Sequence, residues 1–297
     1  MTGRIRFASS LAVVLCVVPF VRCAGAQDSR TDAQQPAQNL ENFDPGTFQR
    51  SNQIDNAWMP LKPGTRFVYE GTTIEDDGTA VPHRVVINVT DLTKVIGSIR
   101  TVVTWDLDYS DGELVEAELA FFAQDSNGTV WRMGEYPEEY DGGKFVAAPA
   151  WIHGLADARA GIMMQAKPQV GTPSYAEGWA PAVTWTDRGQ VDQMGQKTCV
   201  PVSCYEDVLV IAETSAGEAG AHQLKYYARG VGNIRVGWRG AGEKTKETLE
   251  LMRVEQLDAA ALAEVRARAL EMERNAYQRS PVVYAHTPPA ERATGAN

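Results

Sequence analysis

Cysteine and histidine are scarce in this sequence, four of each in 297 residues, and no familiar catalytic signature is built from them. There is no Gly-x-Ser-x-Gly elbow, no His-Glu-x-x-His helix, no phosphate-binding glycine loop and no zinc ribbon. Those absences remove the ready signs of an esterase, a metalloprotease or a nucleotide-binding enzyme. A triad assembled from distant segments remains open. Beyond the first 26 residues no apolar run approaches the roughly 20 residues needed to cross a bilayer. Strand-helix alternation is missing, which argues against a dinucleotide-binding α/β fold, and no internal repeat supports a propeller or solenoid.

The one long apolar run lies at the start. Arg4 and Arg6 precede an apolar stretch over residues 7–21, and Ala24-Gly25-Ala26 precedes a sharply polar segment. This is the pattern of a secretory signal peptide over residues 1–26, so the chain is expected to be exported, to the periplasm or outside the cell. Cys23 raises the alternative of a lipidated N-terminus, but Arg22 beside it fits that signal poorly. Removing the leader takes three of the 28 basic side chains and none of the 38 acidic ones, which leaves a net charge near −13. Such a field repels phosphate backbones and anionic lipid, so nucleic acid is not an expected partner, and cationic or neutral ligands fit better.

The mature chain keeps only Cys199 and Cys204. In an oxidising compartment a close pair of this kind is expected to form a structural disulfide. A redox or nucleophilic thiol is the alternative, but the spacing is not Cys-x-x-Cys and no histidine lies nearby.

Between the ends, apolar and polar residues alternate and turn residues punctuate them. Val103, Trp105 and Leu107 fall on one side of an extended segment, and Thr104, Asp106 and Asp108 on the other. Asp111-Gly112 suits a two-residue primed turn, and Asn127-Gly128 marks the next reversal. Counting outward from the first turn, Ser110 faces Glu113, Leu107 faces Glu116 and Trp105 faces Glu118. About ten strands are expected in all. The expected fold is mainly β: one antiparallel, open or partly closed barrel-like sheet over residues 53–256. A helix is expected over 257–279, capped by Asp258, with Leu262, Val265, Ala269, Met272 and Ala276 on one narrow stripe. Residues 27–52 read as a flexible leader and residues 280–297 as a disordered tail.

Five stretches, NAWMPLKPGTRFVYEG, DGELVEAELAFFAQDSNGTVWRMGE, GIMMQAKPQVG, VPVSCYEDVLVI and KYYARGVGNIRV, are similar to those of a family of exported bacterial β-rich proteins to which no activity is attached. The last two also resemble a broader set of periplasmic and lipoprotein β domains. That second likeness implies an open or partly closed antiparallel barrel with a concave apolar face. Cys199 and Cys204 depart from the pattern, standing around the valine-proline turn where small residues would be expected.

Six carboxylates crowd the central meander: Asp106, Asp108, Glu116, Glu118, Asp125 and Glu135. In a protein acidic throughout, a solvated outer face is the first expectation for them, since antiparallel sheets commonly leave one face wet. A ligand or ion site comes second, and general acid/base chemistry through Glu116, Glu118 or Asp125 third. Asp125, Asn127 and Gly128 resemble part of a calcium loop, but the distal glutamate is missing, so a plain hairpin turn is expected, with no metal and no cofactor. His153, in a long loop beside Trp151, is a further catalytic candidate, although no partner for it can be named. Trp151 and Trp179 stand in glycine- and proline-rich loops and are the candidates for ligand contact. The expected role is that of an exported soluble protein binding an apolar or carbohydrate-like ligand or an envelope partner. A secreted glycan or ester hydrolase is the first alternative, and a structural interaction protein the second. Convergence of two acids in one concavity would favour the enzyme; an aromatic-lined cavity without it would favour the binder.

Overall fold

The computed structural model describes residues 40–293 apart from Asp76 and Thr245. The expected signal peptide, Cys23 and the first part of the leader lie outside the described residues. Alternating sequence gives alternating structure. Strands β1 (Thr65–Ile74), β2 (Ala80–Ile96), β3 (Ile99–Ser110), β4 (Glu113–Gln124) and β5 (Val130–Asp141) form a meander. Three shorter strands, β6 (Lys144–Ala147), β7 (Trp151–Ile152) and β8 (Arg159–Met164), all pair with β5. Next come β9 (Tyr175–Ala176) and β10 (Gly178–Trp179). The second half is β11 (Arg188–Val200), β12 (Ser203–Thr214), β13 (His222–Ala228), β14 (Gly232–Arg239) and β15 (Thr248–Gln256). Helix α1 (Ala259–Arg279), the single turn α2 (Pro281–Tyr284) and β16 (Glu291–Arg292) complete the chain's described part. No described helix is long and apolar enough to cross a membrane.

The strands make one antiparallel sheet ordered β10-β8-β5-β4-β3-β2-β1-β15-β14-β13-β12-β11-β9. Its two ends, β10 and β9, are consecutive pieces of a single segment, residues 175–179. Tyr175 and Ala176 pair with Gly189 and Arg188 of β11, while Gly178 and Trp179 pair with Ala160 and Arg159 of β8. The ladder changes partner at Glu177. The sheet is thus open as a hydrogen-bonded path, yet one short segment lies along both of its edges and clasps them together.

Glycines make this clasp sterically feasible. A Cβ on Gly161 would stand 2.1 Å from the Gly178 nitrogen and 2.2 Å from the Glu177 carbonyl carbon. At Gly178 it would stand 2.7 Å from Trp185 Nε1. Only residues without side chains allow the backbones to approach so closely.

Two apolar clusters lie on opposite faces. The first draws from both halves of the ring, with Tyr69, Val102 and Phe122 on one side and Leu209, Ile211 and Leu249 on the other, and so fills the interior. Ile54, Trp58 and Leu61, just before β1, join this cluster and plug one end. Asn56 fixes that plug, donating to the carbonyls of Gly128 at 2.7 Å and Gln165 at 3.2 Å. The second cluster lies on the convex face, where Ala269, Met272 and Ala276 of α1 and Tyr284 of α2 cover Leu92, Ile96, Phe121 and Tyr136. Burying such side chains contributes roughly 1.5–3 kcal/mol for each large one. Ion pairs tie the helical layer down: buried Lys94 meets Glu273 at 2.8 Å and the Pro288 carbonyl at 2.7 Å, and Arg279 meets Glu138 at 2.8 Å.

Two terminal segments differ from expectation. Residues 40–52 are packed in place: Phe43 and Phe48 lie against Trp131, and the Gln124 amide donates to the Ser51 carbonyl at 2.8 Å. Residues 281–293 are also packed in place, because Tyr284 is fully buried and β16 extends the sheet beside Leu92 and Thr93. Polar composition concealed these anchors, each of which rests on one or two aromatic or backbone contacts. The helix itself starts at Ala259 with Asp258 accepting from the Ala261 amide at 2.8 Å, as capping chemistry requires.

Cys199 and Cys204 form a disulfide across the β11–β12 hairpin, directly opposite one another with Cα atoms 3.9 Å apart. A loop this short constrains the unfolded chain by about 2 kcal/mol in the chain-entropy account. Replacing both cysteines with serine is therefore expected to lower stability by about that amount without changing the circular dichroism, as read by urea denaturation. A loss of the folded state would contradict this local role.

Candidate functional site

Along each interior row the residues change from apolar to ionisable toward the same end. On β3 the inward row runs Val102, Thr104, Asp106, Asp108, and on β4 it runs Phe122, Ala120, Glu118, Glu116, with Asp106 opposite Glu118 and Asp108 opposite Glu116. Across the ring, Ile211 gives way to Glu213 and Leu249 to Glu247. The plugged end is apolar and the other end is charged. A uniformly apolar concave face, as the lipoprotein-like resemblance implied, is not what this interior presents.

Acids outnumber cations here, and each cation is surrounded by acids. Arg132 on β5 contacts both Glu118 and Glu135 through one guanidinium nitrogen. Lys225 on β13 meets Glu213 at 2.6 Å. His83 on β2 places Nε2 2.7 Å from Asp108 and Nδ1 3.0 Å from Glu247. Both ring nitrogens therefore face carboxylates, the arrangement of an imidazolium. Burial alone would lower the His83 pKa, but the hydrogen bonds to Asp108 and Glu247 outweigh it and raise it to about 10. Lys225 is raised in the same way, burial being outweighed by Glu213 and Glu177.

The carboxyls respond oppositely to ordinary exposed acids. Burial, with Glu118 nearby, pushes Glu135 up to about 8 against the pull of Arg132. Asp106 is raised by burial and by Glu118. Asp108 reaches about 6 through burial despite its bond from His83, and Asp187 about 6 through burial and Glu213. Glu177, at the clasp, is raised well above its ordinary value by burial and then by Glu213. It is 1% exposed, and neither of its carboxyl oxygens has a hydrogen-bond partner among the described residues. The Glu213 Oε1, the Tyr175 hydroxyl and the Trp185 Nε1 are likewise buried without one. Arg132 also lies over the Trp185 ring at 5.0 Å, and Trp185 packs against Trp151 at 5.9 Å between centroids.

A pH dependence follows. A carboxyl with a folded pKa above its unfolded one holds its proton more tightly when folded. Its contribution is full below the unfolded value and is lost as pH rises through the folded value. For Glu135 that window runs from 4.5 to about 8. His83 acts in the same direction, with stability full below 6.5 and lost as pH rises through about 10. Tm is therefore expected to be higher at about pH 6 than at about pH 9 by roughly 5 °C or more, since 1 kcal/mol moves it about 2–4 °C at this size. A scanning-calorimetry series in which Tm climbs with pH over that range would contradict the arrangement.

The sequence-based candidates separate in space. Glu116 and Glu118 are buried and face the interior with Asp106 and Asp108, so the expectation of a solvated outer face is corrected. The expected register is corrected as well. Ser110 does face Glu113, but a bulge between Asp108 and Tyr109 shifts the ladder by one, so Leu107 faces Ala117 and Trp105 faces Leu119. Because side chains alternate, that shift puts Trp105 on the face opposite the acids.

Asp125 does not join the group. Its carboxylate accepts from the Asn127 amide at 2.9 Å, the Thr129 amide at 3.0 Å and the Trp131 indole at 3.1 Å, which makes it the brace of the β4–β5 turn. His153 is also elsewhere, packed on Phe43 at 4.3 Å and accepting from the Ala160 amide at 3.0 Å. Burial and then Arg159 lower its pKa, which favours the neutral ring. Trp151 is not an exposed loop residue but a buried one on β7, opposite Glu135. Trp179 is half-buried on β10, at the clasp. Arg132, Glu177, Glu213, Lys225, His83 and Glu247 were not singled out from sequence. Lys225 within the apolar strand HQLKYYA is the plainest signal that was available. Among the described residues, no group of three or more His, Cys, Asp or Glu has the geometry to hold a metal ion.

Fold and site together define a nearly closed antiparallel β sheet with a helix on its convex face and an acid-rich interior end. No family model matches the sequence, and no curated protein matches it. Among solved structures the chain is similar to a candidate exported protein with a YmcC-like fold from Bacteroides fragilis NCTC 9343. The two are 11% identical, the match covers 67% of this chain and 99% of that one, and the TM-score is 0.40. It is similar also to a candidate lipoprotein from Parabacteroides distasonis ATCC 8503, at 12% identity, 68% and 100% coverage and a TM-score of 0.39. Likeness at this level carries no argument about function, which rests on the residues above.

Proposed function

We propose that this chain is an exported soluble protein that holds a small polar ligand in the acid-lined end of its sheet. Export is supported by the basic, apolar and small-residue pattern of residues 1–26. The observation that carries the binding reading is Glu177: a carboxyl buried at the clasp with neither oxygen hydrogen-bonded among the described residues. Buried polar groups are rarely left unmet, since each costs about 1–3 kcal/mol, so the site fits a ligand that completes it. Protein isolated from its native compartment and examined by native mass spectrometry is expected to carry a small bound mass that leaves on acidification. Only the bare mass, with no Tm response to polar compounds, would refute the reading.

The convergence of Asp106, Glu118 and Glu135 supports a second reading, a glycan or ester hydrolase. A carboxyl raised to about 8 beside other acids suits a general acid. On that reading Glu135→Gln lowers turnover on a glycan and ester panel by about 100-fold or more, the usual scale of a lost acid/base group. Asp125→Asn, in the turn, leaves turnover unchanged. Equal activity of the wild-type and Glu135→Gln proteins would remove the hydrolase reading.

A further inference from the structure

We propose that the ligand of this interior site is a small amine carrying hydroxyl groups, of the amino sugar class. The inference rests on the binding reading above and deepens it.

Two kinds of unmet group meet at the clasp. On the acceptor side stand both oxygens of Glu177 and the Glu213 Oε1. On the donor side stand the Tyr175 hydroxyl and the Trp185 Nε1, both belonging to side chains that are buried. They come together because residues 175–179 cross between the sheet edges over glycines. A Cβ on Gly189 would fall 2.6 Å from Glu177 Oε1 and 2.8 Å from the Tyr175 ring. One on Gly178 would fall 2.7 Å from Trp185 Nε1. Glu177 and Tyr175 thus stand over Gly189, whose cross-strand neighbour is Glu213, and Trp185 stands over Gly178 beside Glu177 in the chain.

Each simpler ligand class leaves part of this set unmet. A diamine would answer the carboxylates but offers no acceptor to the phenol and indole. A neutral sugar would answer the donors and some acceptors but brings no ammonium to the unmet carboxyl oxygens of Glu177 and Glu213. An ammonium flanked by hydroxyls supplies a positive charge, further donors and acceptor oxygens at once. It also suits a protein whose overall charge near −13 draws cations inward.

Three probes of similar size separate the possibilities: glucosamine, glucose and putrescine. Each is titrated calorimetrically into the full mature protein, while the indole N–H signal of Trp185, assigned with Trp185→Phe, is followed by NMR. Glucosamine is expected to bind at least about tenfold more tightly than either other probe, a difference of about 1.4 kcal/mol, and to shift the Trp185 signal. Glu177→Gln is expected to weaken glucosamine by about tenfold and glucose by less, so that the gap between the two sugars narrows. If that variant does not fold, Tyr175→Phe tests the donor side instead and is expected to weaken glucosamine and glucose alike while leaving putrescine unchanged. Equal binding of glucose or putrescine, with the Trp185 signal moving, would overturn the amino sugar assignment and leave the polar-ligand reading standing. No binding of glucosamine would overturn the assignment as well, and the bound mass sought in the native protein then decides the broader reading by itself.

Discussion

Gly161→Ala is expected to lower stability by more than about 4 kcal/mol, the range reserved for changes that break a specific structural device. The added methyl would lie 2.1 Å from the Gly178 nitrogen, 2.2 Å from the Glu177 carbonyl carbon and 2.5 Å from the Ala176 carbonyl oxygen. All three are backbone atoms of the clasp, so no side chain can rotate away. Either β10 leaves β8 or the segment shifts as a whole, and in both cases the two sheet edges separate. Gly217→Ala is the control, since a Cβ there meets nothing within 4 Å. Chemical denaturation of the two variants makes the comparison. Equal midpoints would mean that the sheet does not depend on its clasp.

Arg132→Met should have a comparable effect for an electrostatic reason. Arg132 is buried with Glu118 and Glu135 on one nitrogen, and Asp106 and Glu177 also act on it. Burial works against its charge, and the surrounding acids outweigh that and raise its pKa. Removing one partner from a buried ion pair costs about 3–5 kcal/mol because the remaining charges are left uncompensated. The loss should shrink as pH falls toward about 5, because Glu135, Asp106 and Glu177, all raised by burial, then hold their protons in the folded state and no longer need the cation. Lys197→Met removes an exposed cation paired with Glu206 at 2.7 Å, a surface pair that solvent screens and whose loss should leave Tm nearly unchanged. Parallel Tm measurements at two pH values separate the cases. A deficit in Arg132→Met that grows at low pH would contradict the role assigned to Arg132.

Much of the fold was legible because it follows from local rules. Alternation located the meander strands, and Asp111-Gly112 made the turn it suggested, with both residues at positive φ. The stripe on α1 is the one that packs, with Val265, Ala269, Met272 and Ala276 buried. What failed depends on longer-range facts. A single bulge beside Tyr109 exchanged which residues face Glu116 and Glu118, and nothing in the residue types announces it. Alternation separates two faces but does not say which is interior. In a sheet covered by a helix outside and curled inside, both can be buried. The acids of β3 and β4 were therefore assigned to the solvent, whereas they lie inside with Arg132. The clasp was beyond reach for another reason: strands of two residues have no periodicity, and their register is set by Gly161, Gly178 and Gly189 across the seam.

The central claim is that carboxyls converge inside the curled sheet and that Glu177 among them has no hydrogen-bond partner among the described residues. Carbon-13 NMR of the glutamate side chains across pH tests it most directly, with Glu135→Gln and Glu177→Gln supplying assignments. The expected result is a Glu135 midpoint near 8 and a Glu177 midpoint well above 4.5. Midpoints of both groups at the ordinary value for an exposed glutamate, about 4.3, would place these acids in water and contradict the account.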